Sequence, residues 1–201
     1  MTLTKAETTR ELILETALAA ASEIGFEGLS LGDLAKRVGM SKSGLFAHFS
    51  CKDDLELEIL KTAARRFLET VVAPALAAPR GEPRVRALFE RWFDWSSASE
   101  LPGGCVFIAA ASELDDRPGP LRDYLVSSQR DWLATLAQAA RIAVAEGHFR
   151  ADLDVDQFAH DVYSILLAYH HFHRLLHEPN GADRAHRTFD GLLRDARRPT
   201  A

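Results

Sequence analysis

The sequence predicts an all-α fold of about nine helices, three short-range ones at the N-terminus and a larger bundle after them. Three observations predict it. Val, Ile and Tyr never alternate with polar residues over a useful length, so strand signals are nearly absent. Apolar residues recur instead at spacings of three and four almost everywhere. Gly and Pro fall between these periodic runs, and a Ser or Asp stands ready to cap many of the runs that follow.

A first helix is expected over about 5–24, with Ile13, Ala17, Ala20 and Ile24 on one face and Gly25 of GFEG as its stop. Ser30 caps a brief second helix, with Asp33 three residues on and Leu31, Leu34, Ala35 and Val38 as its buried stripe. Gly39 breaks the pattern and Ser41 caps again. Leu45 and Phe49 then anchor a third helix of barely two turns. Ser50, with Asp53 three residues on, is expected to cap a long fourth helix that carries Leu55, Ile59, Ala63, Phe67 and Val71 at every fourth position. Pro74 and APRGEP are expected to close it.

Pro83 suits the first position of a fifth helix, PRVRALFERWFDWSSAS, which is apolar over most of its circumference. LPGG precedes a short sixth, CVFIAAASEL, and DDRPGP ends it. A long amphipathic helix over 121–146 stops at Gly147. Asp154 caps the eighth, whose FAHDVYSILLAYHHFHRLL is too apolar all round for one exposed side. The last, over about 182–196, sets Phe189, Leu192 and Leu193 against a face of arginines. There is no internal repeat, low-complexity tract or flexible linker. Two parts are therefore expected, 1–52 and 53–201, sharing the fourth helix as a rigid joint.

With 201 residues, 47% hydrophobic and 26% charged, the chain can bury one good core or dock a small module on a larger one. Every apolar run is broken by charge well short of the ~18 residues a membrane span needs, and MTLTKAETTRELILE carries acids where a leader would be basic and then apolar. A cytoplasmic protein is expected. Cys51 and Cys105 make neither a disulfide framework nor a zinc site, which agrees with a reducing compartment. The net charge of −5 advertises no polyanionic partner. Residues 1–52, however, hold six bases and six acids; five of those acids precede residue 30, and three of the bases, Arg37, Lys42 and Lys52, lie from 37 to 52.

Helices shorter than ~12 residues are marginal alone, so the second and third persist only by packing on each other and on the first. What the third keeps on its outer face is Lys42, Ser43, Gly44, Phe46, Ala47 and His48: small groups in front, donors throughout and no acid. A helix that enters a groove about 12 Å wide needs this, because bulk would hold it off the bases and a carboxylate would repel phosphate. The pattern is a helix-turn-helix with a recognition helix.

RELILETALAAASEIGFEGLSLGDLAKRVGMSKSGLFAHFSCKDDL resembles the DNA-binding domain of the TetR/AcrR family of one-component transcriptional regulators. The shared marks are the Ile-Leu and Ala pairs of the first helix, Gly-aromatic at its end, Gly-hydrophobic-Ser in the turn, Leu-aromatic in the third helix, then Phe, a lysine and an acid. The resemblance implies phosphate contacts from Ser30, Ser41, Lys42 and Lys52, with Ser43, Gly44 and His48 facing base edges. Phe46 stands where the family usually has a tyrosine, so a hydroxyl contact is replaced by ring packing on the sugar backbone or lost. Ala20 and Ala21 replace a typical Leu-Phe pair, and Cys51 a commoner polar residue. The resemblance further implies a homodimer, a palindromic operator in double-stranded DNA and a small-molecule effector. Repressor action is the family default.

For Lys42 and Lys52 the plain alternative is an ordinary solvated charge, which the helix-turn-helix context disfavours. His48 is left open between a base or phosphate donor and a histidine beside the groove. Cys51, in the first turn of a helix beside Lys52, reads as an inert small residue ahead of a sensing thiol. His170, His171, His173 and His177 lack suitably spaced carboxylates or cysteines apart from Glu178, so a metal is disfavoured and no cofactor is expected. No catalytic constellation is present, and an enzyme is not expected. Phe67, Phe89, Trp92, Phe107 and Trp132 are the expected lining of a pocket for a mostly apolar effector, although each alone reads as core. The last two long helices are the expected dimer interface, since VYSILLAYHHFHRLL has too much apolar surface to hide. The competing class is a helical small-molecule carrier or enzyme without DNA binding, for which the run Ser41, Lys42, Ser43, Gly44 would serve nothing.

Overall fold

A computed structural model describes residues 4–197, and these form helices with no strand among them. The elements are α1 (Lys5–Ile24), α2 (Leu31–Arg37), α3 (Lys42–Phe46), α4 (Lys52–Phe67), α5 (Glu82–Ser96), α6 (Val106–Leu114), α7 (Pro120–Ala145), α8 (Val155–Arg174) and α9 (Gly181–Ala196). These nine bear out the helical expectation. After α4 the helix does not stop. It widens into a π-helical turn (Leu68–Val72) and resumes for one α-helical turn (Ala73–Leu76). Pro74 has no N–H for the carbonyl four residues before it, and a π turn accommodates that gap, so Pro74 reshapes the helix instead of closing it.

The chain divides into two compact units, one of residues up to 66 with 97–127, the other of 67–96 with 128 onward. In the first unit Ile13, Ala17 and Leu18 of α1, Leu34 of α2, Leu45 of α3 and Leu55, Ile59 and Ala63 of α4 are buried. The expected stripes hold with two corrections. Ile24 is 48% exposed because α1 ends there and the chain turns away at Gly25, and Leu31 and Val38, at the two ends of a seven-residue helix, are only half-buried. The same unit takes in the 97–127 segment through a close approach. The Gly103 N–H donates to Ser22 Oγ at 3.0 Å, and a Cβ on Gly103 would stand 1.7 Å from the Ser22 carbonyl oxygen.

In the second unit Leu88, Phe89 and Trp92 of α5 are buried with Val162 and Leu166 of α8 and Phe189 and Leu193 of α9. Phe89 stacks on Phe189 with centroids 3.9 Å apart and planes 5° apart. Glu82, opening α5, receives Arg86 and Arg197, and these hydrogen bonds pull its carboxyl below the usual range. Asp154 Oδ1 caps α8, accepting the N–H groups of Asp156 and Gln157 at 3.1 and 3.0 Å, as the sequence predicts. On α8, His170 is half-buried and its Nε2 has no hydrogen-bond partner. Burial, aided by the charges of Arg174, His173 and His171, pushes its pKa down to about 4.

Two outcomes follow from this packing. Gly103→Ala forces a methyl group into backbone, and urea denaturation should read a loss of about 1–3 kcal/mol or more. For His170 the folded value lies below the unfolded 6.5. Between the two the unfolded chain binds a proton that the folded chain does not, so stability is intact above about pH 6.5 and falls as pH drops toward 4. Urea midpoints measured across that window should show the decline, and His170→Asn should flatten it.

Candidate nucleic-acid interface

The turn between α2 and α3 is built by backbone chemistry that the sequence dictates. Gly39 adopts φ +70°, its N–H donates to the Lys36 carbonyl at 3.2 Å, and the Met40 N–H donates to the Ala35 carbonyl at 2.9 Å. That pair of bonds closes the end of α2, and glycine holds the left-handed position without strain. Both caps fall at the expected residues. Ser30 Oγ accepts the Asp33 N–H at 3.2 Å, and Ser41 Oγ accepts the Gly44 N–H at 3.1 Å while sharing a 3.0 Å hydrogen bond with Ser43 Oγ.

The third helix is shorter than its pattern suggests. Only Lys42–Phe46 is α-helical, and Ala47 and His48 continue as a turn before Phe49 returns to the core. The next cap differs from expectation as well. Cys51, not Ser50, precedes the first helical residue, and its Sγ takes the Asp54 N–H at 3.4 Å. Asp54 in turn accepts the Ser50 N–H at 3.0 Å and hydroxyl at 3.1 Å, bonds that lower its carboxyl pKa. The reciprocal partner is thus Asp54 in place of Asp53. A thiol and a hydroxyl side by side made the register ambiguous.

Ser30, Ser41, Lys42, Ser43 and Phe46 are exposed, while Gly44, His48 and Lys52 are half-buried. Leu45 alone in α3 is fully buried, so the helix stands on one apolar foot and turns its small, donor-rich side outward. Lys42 has no ion-pair partner among the described residues, and α3 carries no acid. Lys52 differs: its Nζ lies 3.2 Å from Glu56 Oε1. Burial raises the Glu56 pKa, opposed by its bond to Lys52 and reinforced by the charges of Asp53 and Glu113.

Arg10 is a residue that the sequence reading passed over. Its guanidinium lies 4.9 Å from the Phe49 ring centroid and 2.8 Å from Glu58, bracing α1 against α4 and the end of the α3 turn. Hydrogen bonds from Lys61 and Arg10 draw the Glu58 pKa down. The only signal in the sequence was an arginine near the start of a helix whose later faces are apolar, which does not name its partners.

Of the five aromatic residues singled out for a pocket, four have ring contacts within the second unit. Phe67 meets Trp132 edge-on at 5.0 Å and Trp95 at 5.4 Å in the second unit. The Nε1–H of Trp132 is buried with no hydrogen-bond partner. Phe89 and Trp92 belong to another ring cluster, with Phe93, Tyr169, His186 and Phe189. Phe107 is buried in the first unit. Between α8 and α9 lies a cavity of about 300 Å³ that Ile165, Tyr169, Phe172 and Ala185 help to line, with Glu178 and Arg184 paired at 3.0 Å among its walls. Leu167, Phe172, Leu175 and Leu176 are exposed on α8 and just after it. Among the described residues no group of His, Cys, Asp and Glu could hold a metal ion, and no helix is long and apolar enough to cross a membrane.

Comparison with known proteins matches both parts of the chain. Residues 13–67 fit the family described as bacterial regulatory proteins, tetR family, and residues 81–189, over half of the chain, fit the tetracyclin repressor-like C-terminal domain. The transcriptional repressor AcnR of Corynebacterium diphtheriae is 37% identical over 67 residues, covering 33% of this chain and 35% of AcnR. The chain thus matches about a third of the length of that relative. Its backbone superposes on a TetR-family regulator from Cytophaga hutchinsonii with a TM-score of 0.86 over 100% of both chains at 18% identity. AibR, solved with isovaleryl coenzyme A and operator DNA, gives 0.72 over 96% of this chain and 100% of its own at 21% identity. At such identities the likeness is one of fold. Taken with the capped helix-turn-helix and the two matching family domains, it makes this chain a member of the TetR family of bacterial regulatory proteins.

Proposed function

We propose that the chain is a DNA-binding transcriptional regulator acting as a homodimer, with residues 1–52 reading an operator and residues 53–201 binding a small-molecule effector and the second copy. The observation that carries this reading is the outward side of α3. Ser41, Lys42 and Ser43 are exposed there, no acid accompanies them, and Lys42 is unpaired among the described residues. On this reading Ser30, Ser41, Lys42 and Lys52 hold phosphates, Ser43, Gly44 and His48 meet base edges, and the Phe46 ring lies on the sugar backbone. Lys52 must exchange Glu56 for phosphate to do so.

The effector reading favours a mostly apolar molecule with one hydrogen-bond acceptor. Phe67 and Trp132 supply flat apolar walls, and the buried Trp132 N–H offers a donor that an acceptor would satisfy. AibR, caught with both a coenzyme A thioester and operator DNA, supports pairing the two activities on one fold. Repressor action is supported by the AcnR relative, which is a repressor. Effector bound to the DNA-free state must release the operator, because each ligand weakens the other by the same factor. The dimer reading rests on the exposed Leu167, Phe172, Leu175 and Leu176, and a two-fold pair would meet a palindrome.

Mobility of a promoter fragment from beside its own gene, at two salt concentrations, tests the regulator against the carrier. Binding should weaken steeply with salt, and Lys42→Ala should lower the slope of log affinity against log salt by about 1 for each contacting copy. No shift of any fragment at low salt would favour the carrier. The dimer has its own test in sedimentation. Phe172→Glu sets like charges facing across a two-fold contact and should raise the dimer dissociation constant by about a hundredfold or more. A wild-type chain that sediments as a monomer would end the proposal.

A further inference from the structure

In the first unit, Glu113, near the end of α6, grips the turn that leads from α1 into α2. Its Oε2 accepts the Phe26 N–H at 2.9 Å and the Glu27 N–H at 3.1 Å. Two successive peptide N–H groups on one carboxylate oxygen form a small anion nest, and charge makes such bonds about twice as strong as neutral ones. The seat is cut to fit. Gly25 holds φ +73°, and a Cβ there would stand 1.6 Å from Glu113 Oε1, so any side chain would evict the carboxylate. Arg117, four residues after Glu113, reaches the Glu27 carboxylate at 2.8 Å. Ser22 accepts the Gly103 N–H one helical turn earlier on α1. Segment 103–117 is therefore fastened to the end of α1 at three points, all through polar groups.

The fastened turn leads directly to the DNA-facing residues. Phe26 and Leu29 are buried, and Ser30, next in the chain, caps α2 and is one of the expected phosphate contacts. Whatever displaces α6 must carry the α1–α2 turn with it or break these bonds. We propose that Glu113 is a positioning residue for operator recognition, setting the height of Ser30 and of the α2–α3 pair from a site that touches no DNA. The inference rests on the operator-binding reading. It predicts a sign that electrostatics alone would not give: removing an acid from a DNA-binding unit should strengthen binding to a polyanion, whereas losing this grip should weaken it.

The test uses the full chain and a duplex that the wild-type protein selects from a random-sequence pool. Glu113→Ala should keep the wild-type helix content and raise the dissociation constant for that duplex by about tenfold or more. The salt slope should not change, since no phosphate contact is lost. Amide exchange should accelerate at Phe26 and Glu27 and stay unchanged at Leu34 and Leu45. Glu113→Gln, which keeps an acceptor oxygen, should recover a large part of the affinity, and Glu113→Asp, one methylene too short, should not. If Glu113→Ala fails to fold, the Gln and Asp variants carry the same comparison. Affinity within twofold of wild type in the Ala and Asp variants, or exchange that rises across the whole unit in step with the loss, overturns the proposal. A wild-type chain that selects no duplex overturns the operator reading and this role with it, while the exchange rates at Phe26 and Glu27 would still report whether the grip exists.

Discussion

A recognition helix of five residues has no stability of its own, and the burial of Leu45 is what lets it exist. Starting a helix from coil carries a nucleation factor of about 10⁻³, roughly 4 kcal/mol at room temperature. Leu45 is fully buried, and burial of a leucine side chain stabilises by about 1.5–3 kcal/mol. The Ser41 cap contributes about 1 kcal/mol more. These contributions nearly offset the nucleation term, leaving little margin. α3 is consequently a structure of context: α1 touches α2, and α2 touches α3. The buried foot is what frees the other residues of α3 to be chosen for what they present outward.

Local signals made this part of the chain legible. Ser30, Gly39 and Ser41 announce an N-cap, a left-handed stop and a second N-cap within a dozen residues, and each does in the fold what its chemistry allows. The alternation of stop and cap fixes the helix boundaries better than hydrophobic periodicity does, since a seven-residue helix shows barely two turns of any period. Where local signals competed, the reading slipped by one. Ser50 and Cys51 can both cap, Asp53 and Asp54 can both answer, and only the backbone register decides for Cys51 and Asp54. Pro74 was ambiguous in the same way. Proline forbids one hydrogen bond, but a helix can lose that bond either by ending or by widening for a turn.

Contacts distant in sequence were not legible at all. Nothing in GFEG or in AASELDD says that Glu113 will bond the amides of residues 26 and 27, some 87 positions away. Gly103 reads as part of a loop until the Ser22 carbonyl is found where its side chain would be. The same holds for the aromatic residues. Phe67, Phe89, Trp92, Phe107 and Trp132 share a composition that suggests a pocket, yet which rings meet depends on helix rotation, and rotation is set by the whole core. Phe89 finds Phe189 a hundred residues on, whereas Phe67 finds Trp95 and Trp132. A count of aromatics therefore cannot tell a ring that packs the core from one that borders a cavity.

Net charge posed the main objection to a nucleic-acid partner, and the arrangement of ion pairs answers it. The chain carries −5 overall, but in the first unit five of the acids, four of them in the N-terminal helices and α4 and one in the α1–α2 turn, are matched at close range. Glu15 is paired with Arg66, Glu27 with Arg117, Glu58 with Arg10 and Lys61, Asp33 with Lys36, and Glu56 with Lys52. A matched pair leaves a dipole whose field decays faster than that of a single charge, and salt screens what remains beyond about 8 Å at physiological strength. Lys42 is unmatched among the described residues and stands on a helix without acids, so an approaching phosphate feels its charge at short range. Overall acidity then governs solubility and the long-range approach to DNA. Short-range affinity depends instead on the few groups that reach the groove.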